Sequence, residues 1–559
     1  MDSTDYDELR VLIVDDFPNF RTTLAKNMHT IGFRNITSLS SGSEALSSCR
    51  KSHYDIILSD YNLGSGKNGQ QLLEEIRHLH LVKRSDIFIL ISADTSRDVV
   101  MASYDCEPSD YLTKPITGKT LEQRIKRLLA RRNELHRVYK AIDENDYDNA
   151  ITLLVSLLNV KSRHGVECQK ILGELYLKQQ SFELAEQLYK GVLENRELDW
   201  AKVGLANVEL AYGQYTIAAN SLDMIIEDHP AYLKAYDSLS NACRAMDDSS
   251  RLQQVLEKAT KASPMSIARQ KTLADVALGN GDVDLAIKAY KKTIKYGAHS
   301  HYDNTDNHLN LARAVTKVYD EGHGTDQSMT IDVLRLLNSM DSKYLISQEQ
   351  KIQATLLNSQ INALNGNKQA SKTLFDKAQE LMHHAEERDI DTEIENINAM
   401  MTCGQNLKVP DIIKEMLIFY KRDQVALEKV DFLLEEPISQ KGKKLIGAIN
   451  KKGIEYYKAK NFEKSIEYFF KAQRKYPRFI GLKLNFVQAL ISSLKENGYS
   501  QDYVNKTEAT LKVIERYVSA DNNKYQRYRQ LRTMFQQTVQ DIQYQQRIAA
   551  NQEKRNARF

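Results

Sequence analysis

Short apolar runs at residues 9–14, 35–39, 54–59 and 86–91, with a weaker one at 110–112, punctuate the first 130 residues. Amphipathic stretches at 19–31, 43–51, 69–79 and 95–103 separate them. Buried strands alternating with helices predict a five-stranded, doubly wound parallel sheet with helices on both faces. Beyond about residue 118 the strand pattern gives way to helical periodicity. The fifth helix, 121–132, runs on into 135–144 without Gly or Pro, which predicts a stiff helical connection to the rest of the chain.

That helical remainder is self-similar. Leu172, Gly173, Tyr176, Phe182, Ala185 and Tyr189 fall on the pattern of a two-helix tetratricopeptide unit, whose period is about 34 residues. Leu205, Ala206, Tyr215 and Ala218 repeat the phase, then Tyr236, Leu239 and Cys243, then Leu273, Ala274, Gly281, Ala286 and Tyr290. Pro230 and Pro264 stand one period apart. Small residues let paired helices approach, aromatics fill the gaps between them, and proline ends a unit. A weaker unit begins near residue 131, and the register loosens after 300, where residues 299–307 and 321–328 read as polar insertions. A divergent pair covers 352–378, and the phase returns at Gly453, Tyr456, Phe462, Phe469, Ala472 and Pro477. Residues 524–559 read as a polar capping helix, closing the apolar edge of the array. The minority readings of that tail, coiled-coil pairing or RNA contact, would use Arg547, Lys554, Arg555 and Arg558. The expected fold is thus an α/β flavodoxin-like domain followed by an all-α superhelical solenoid.

Composition narrows the function. At 559 residues the chain exceeds one hydrophobic core. A formal charge of +3 leaves no strong basic field for nucleic acid. There is no apolar run of the roughly 20 residues that span a bilayer, so no membrane insertion is expected. The acidic N-terminus lacks a secretory pattern, and Cys49, Cys106, Cys168, Cys243 and Cys403 are scattered without metal-ligand spacing. A reduced, cytoplasmic protein is the expectation. His383 and His384 read as exposed helix residues, and Trp200 as packing between repeats.

The chemistry gathers where the strands of the first domain end, the position at which ligands sit in such sheets. Asp15 and Asp16 follow the first strand, Asp60 ends the third, Ser92 the fourth, and Lys114 follows the fifth. Three carboxylates in one crevice call for a hard cation, and Mg²⁺ suits oxygen ligands and exchangeable waters. A carboxylate so placed can attack phosphorus. An ammonium, a hydroxyl and the metal can then share the three oxygens of the transferred group.

The segments VLIVDD, LSDYNL, LISAD and DYLTKP resemble, in order and spacing, the CheY-like receiver family of two-component response regulators. The resemblance implies Asp60 as phosphoacceptor, and Asp15 and Asp16, with the backbone carbonyl of Asn62, as Mg²⁺ ligands beside it. Lys114 would neutralise the phosphoryl group, and Ser92 with Tyr111 would form the switch pair. The sequence departs at Gly64, where many receivers have proline, and an extra turn, Gly64-Ser65-Gly66-Lys67, comes after it. The whole resembles repeat-tailed response regulators, VieB-like proteins among them. The expected organisation is a receiver over 1–130, regular repeats over 131–300, divergent helical repeats over 301–445, C-terminal repeats over 446–520 and a tail helix over 521–559. The resemblance implies a sensor histidine kinase or phosphotransfer protein as donor, and a protein or peptide on the concave face of the repeats. Homodimerisation through the switch face is a further option. Output is through protein contact, or, alternatively, by sequestering a kinase or draining phosphoryl groups. No DNA-binding element is present in the sequence, and no enzymatic role is expected beyond the receiver's own phosphorylation and dephosphorylation.

Overall fold

The computed structural model describes residues 6–320, 327–385, 389–518 and 522–556. Five strands form one parallel sheet in the order β2-β1-β3-β4-β5. They are β1 (Arg10–Val14), β2 (Asn35–Leu39), β3 (Ile56–Asp60), β4 (Ile87–Ser92) and β5 (Asp110–Thr113). Every residue of β3 and β4 is buried. A parallel sheet is covered on both faces, which is why these strands are continuously apolar instead of alternating.

The covering helices are α1 (Pro18–Ile31), α2 (Gly42–Lys51), α3 (Gly69–His78), α4 (Arg97–Asp105) and α5 (Gly118–Asp143). On one face Leu24 and Met28 of α1 and Leu121, Ile125 and Leu128 of α5 pack on Val11, Ile13, Leu58 and Ile89. On the other, Ala45, Leu72, Ile76 and Val99 from α2, α3 and α4 meet Leu12, Ile57 and Leu90. Local signals start the helices: Pro18 in the first turn of α1, Ser41 accepting from the Glu44 N–H, and a reciprocal capping box between Asn68 and Gln71. The order of strands reverses between β1 and β3, so their carboxyl ends open the crevice.

Helix α5 runs unbroken for 26 residues. After it the described residues are all helical, without strands. The next helices are α6 (Tyr147–Asn159), α7 (Gly165–Lys178), α8 (Phe182–Asn195), α9 (Asp199–Ala211) and α10 (Tyr215–Asp228). Then come α11 (Leu233–Ala245), α12 (Ser249–Ala262), α13 (Ile267–Gly279) and α14 (Val283–Gly297). Tight turns joining α5–α6, α7–α8, α9–α10, α11–α12 and α13–α14 each carry a residue of positive φ: Asn145, Gln180, Gly213, Asp247 and Gly281. These positions recur at intervals of 33 to 35 residues. The Tyr189 ring of α8 fills a notch at Gly173 and Gly204, where an added Cβ would lie 2.4 and 2.3 Å from its atoms. Trp200 sits edge-on to the same ring at 6.2 Å.

The chain divides into two compact units, residues 1–276 with 288–307, and residues 277–287 with 308–559. In the second unit, Arg313 lies 2.9 Å from Glu395 and donates to Gln353, while Gln360 reaches the other Glu395 oxygen. Phe469 there packs on Gly453 as Tyr189 packs on Gly173, sixteen positions on in each case. The stretch 299–307, read from sequence as a polar insertion, is a turn leading into the helix Thr305–Asp320. Of the stretch 321–328, residues 321–326 lie outside the described residues, as does Arg558. The C-terminal stretch is the helix Tyr525–Asn556. His383 and His384 are exposed.

Candidate phosphoacceptor site

Five of the singled-out side chains converge at the carboxyl ends of β1, β3, β4 and β5. Carboxylate oxygens of Asp15, Asp16 and Asp60 all lie within 4.8 Å of one another. The ammonium of Lys114 stands 2.8 Å from Asp15 and 3.0 Å from Asp60, and 4.1 Å from the centre of the Phe20 ring. One cation against three carboxylates leaves a negative site. Asp15 is further fixed by the Phe17 N–H, which donates to its Oδ1 at 2.8 Å. Asp16 Oδ1 is buried with no hydrogen-bond partner among the described residues. A buried, unpaired carboxylate oxygen beside two more is a donor set that fits a divalent hard cation.

Burial pushes the Asp60 carboxyl up to about 6; Lys114 works against that push and Asp15 adds to it. Burial also works against the charge on Lys114, but its bonds to Asp15 and Asp60 prevail and raise its pKa.

Ser92 and Tyr111 meet at one acceptor. The Ser92 hydroxyl donates to the Asp94 carbonyl at 3.2 Å and accepts from the Asp94 N–H at 3.0 Å. The Tyr111 hydroxyl donates to the same carbonyl at 3.1 Å. Asn62 accepts the Gly64 N–H at 3.3 Å through its side chain. Gly64 and Gly66 have φ of 74° and 108°, a region that glycine enters at no steric cost. Gly69 closes the loop after Asp60: its N–H donates to the Tyr61 carbonyl at 2.8 Å. A Cβ there would fall 2.1 Å from the Asp60 carbonyl oxygen.

A cavity of about 900 Å³ lies over Asp60, Asn62, Ser92 and Lys114, and Met265, Tyr296 and His299 of the same unit form its far wall. Lys67 and Gln71, which sequence reasoning did not single out as site residues, reach across to that wall. Gln71 donates to the carbonyls of Tyr296 (2.8 Å) and Ala298 (3.0 Å), and Lys67 to that of His299. The only sequence signal was the extra glycine-rich turn ending at Lys67. The other acid-rich trio among the described residues, His53, Asp55 and Asp86, lies at the amino ends of the strands, where Arg132 already holds Asp55 at 2.5 Å.

Residues 11–126 match the family model described as the response regulator receiver domain. They are similar to the chemotaxis protein CheY of Pseudomonas aeruginosa, 26% identical over 125 residues, which are 22% of this chain and 99% of the relative. CheY-3 of Vibrio cholerae is 28% identical over 123 residues, 22% of this chain and 93% of the relative. Among solved structures, a CheY-like receiver domain from Methanospirillum hungatei is 21% identical, covering 22% of this chain and 97% of its own, with a TM-score of 0.21. Residues 11–126 are therefore a CheY-like receiver domain, borne on a chain whose remaining described residues are overwhelmingly helical.

Proposed function

We propose that this protein is a response regulator whose receiver takes a phosphoryl group on Asp60 from a sensor histidine kinase or phosphotransfer protein. Its output is protein–protein contact made by the helical region. The observation that carries this reading is the trio Asp15, Asp16 and Asp60 at strand ends, with Lys114 bridging Asp15 and Asp60.

In the proposed transfer, an Asp60 carboxylate oxygen bonds to phosphorus as the donor's P–N bond breaks. The departing imidazole nitrogen keeps the electron pair and takes a proton from solvent. Asp15, Asp16 and Asp60, with the Asn62 carbonyl, are the residues that would hold Mg²⁺, which neutralises charge on the transferred oxygens when bound. Lys114, already on Asp60, is positioned to shift onto a phosphoryl oxygen. The Ser92 hydroxyl would leave the Asp94 carbonyl for a second oxygen, and Tyr111, which shares that carbonyl, would follow inward.

For the helical region we infer tetratricopeptide-like repeats. Supporting this are the turns of positive φ at intervals near 34 residues and the glycine–aromatic notches at Gly173/Tyr189 and Gly453/Phe469. Such arrays bind peptides or helices along an extended surface. The test is incubation of the full chain with acetyl phosphate and Mg²⁺. A base-labile label on Asp60, absent in Asp60→Asn, is expected, together with different capture of partners by the two forms. An unlabelled wild type overturns the phosphoacceptor assignment; identical capture by both forms overturns phosphorylation control of output.

A further inference from the structure

The turn after Asp60 does more than close the site. It carries Lys67 and leads into the first turn of α3 with Gln71, and their three N–H donors end on the carbonyls of Tyr296, Ala298 and His299. Those carbonyls stand at the C-terminus of α14 (Val283–Gly297), the negative end of its dipole. They line the same cavity as Asp60. A second set of contacts holds the end of α4. Arg269 lies 2.5 Å from Asp105 and 2.7 Å from Asp237, Ser263 donates to Asp105, and Lys234 lies 2.7 Å from Glu107. Both Arg269 and Asp105 have only 11% of their side chains exposed. Between the two sets, Met265 packs against the receiver core, its sulfur 4.0 Å from the Tyr61 hydroxyl.

We propose that residues 263–276 and 288–304 and the receiver's α3–α4 side form an autoinhibitory clasp that opens when Asp60 is phosphorylated. This rests on the phosphoacceptor reading above. The sign comes from electrostatics. The clasped form coexists with Lys114 on Asp60 and with Ser92 and Tyr111 on Asp94, the arrangement of an unmodified carboxylate. A phosphoryl group adds negative charge opposite a helix C-terminus, where carbonyl dipoles repel it. Lys67, paired with Glu75 at 2.5 Å and donating to the His299 carbonyl, has its charge already matched and does not offset that repulsion. Lys295 is the cation on the far wall; it is exposed, so its attraction is screened. Opening would expose the receiver residues Glu74, Arg77, His78, Asp105 and Glu107, which now line one pocket with Arg269 and Tyr302.

Hydrogen exchange on the full chain tests this, with and without acetyl phosphate and Mg²⁺, while the phosphoryl label on Asp60 is measured in parallel. The expected result is labelling together with exchange across 264–276, 288–304 and 67–78 that rises on the order of ten-fold, as coupling of this kind allows. Arg269→Gln and Asp105→Asn should each raise exchange there without acetyl phosphate. By reciprocity they should also tighten binding of beryllium fluoride at the site by the same factor. A labelled chain with unchanged exchange overturns the clasp and leaves the phosphoacceptor intact. An unlabelled chain overturns the phosphoacceptor reading and the clasp with it. If neither variant alters exchange, the Arg269–Asp105 contact is no part of a clasp.

Discussion

Lys114 holds Asp60 at 3.0 Å while also holding Asp15 at 2.8 Å, so one ammonium occupies a place among carboxylates that a divalent cation would share. Removing it has two opposite effects. Lys114→Ala deletes a donor aimed at the transferred phosphoryl oxygens, and phosphoryl uptake from acetyl phosphate should slow by roughly 10²–10³-fold. The same change removes a competing positive charge, so Mg²⁺ binding by titration calorimetry should tighten. Weaker Mg²⁺ binding in Lys114→Ala would mean that the lysine supports the metal site instead of competing for it.

Asp16 Oδ1 is the buried carboxylate oxygen of the trio left without a hydrogen-bond partner among the described residues, which marks it for a ligand from solution. Mg²⁺ should raise the Tm of the wild-type chain, by an amount equivalent to about 2.7 kcal/mol at a hundredfold excess over Kd. In Asp16→Ala the rise should be lost, while the Tm without Mg²⁺ should not fall, because the carboxylates repel one another less. An equal Mg²⁺ shift in both proteins would remove Asp16 from the metal site.

The strand ends could be read from sequence because the chemistry demands particular side chains at positions that hydrophobic runs already locate. Asp15, Asp60, Ser92 and Lys114 each follow or end such a run. The contacts of Lys67 and Gln71 could not be read in this way. Their partners are backbone carbonyls more than 200 positions distant, and periodicity reports which face a helix buries, not what covers it. The polarity of 299–307 invited a reading as an insertion. In the structure Ala298 and His299 supply acceptors there, and His301 stacks on His78 at 4.5 Å. Gly173 was legible as a place of close approach, but Gly204, serving the same Tyr189 ring, lies off the repeat positions picked out in the sequence.

The His301–His78 stack should make the contact between α3 and residues 298–302 sensitive to acid. Burial lowers the His301 pKa below its usual 6.5, and His78 and Lys67 lower it further, with Glu75 opposing them. A histidine whose folded pKa is depressed binds fewer protons folded than unfolded. Stability therefore falls as pH drops through the usual value toward the lowered one. Wild-type Tm should decline between about pH 7 and 5 more steeply than that of His301→Gln. Parallel profiles would show that the ring titrates without consequence for folding.

Glycine-to-alanine changes in the helical region should differ in sign according to what the new methyl meets. At Gly173 and Gly204 it would lie 2.4 and 2.3 Å from atoms of the buried Tyr189 ring, and at Gly453 2.6 Å from Phe469. Each substitution forces a large ring out of a packed notch and should cost about 1–3 kcal/mol in chemical denaturation. Tyr189→Leu should relieve most of the Gly173→Ala penalty, since the two sites are coupled through direct contact. Gly191, exposed within α8 and with nothing within 4 Å of the added methyl, is the counterpart. There the gain in helix propensity should prevail and stabilise the chain by roughly 0.5–1 kcal/mol. If Gly173→Ala were as well tolerated as Gly191→Ala, close approach of α7 to the Tyr189 ring would not be what its glycine provides.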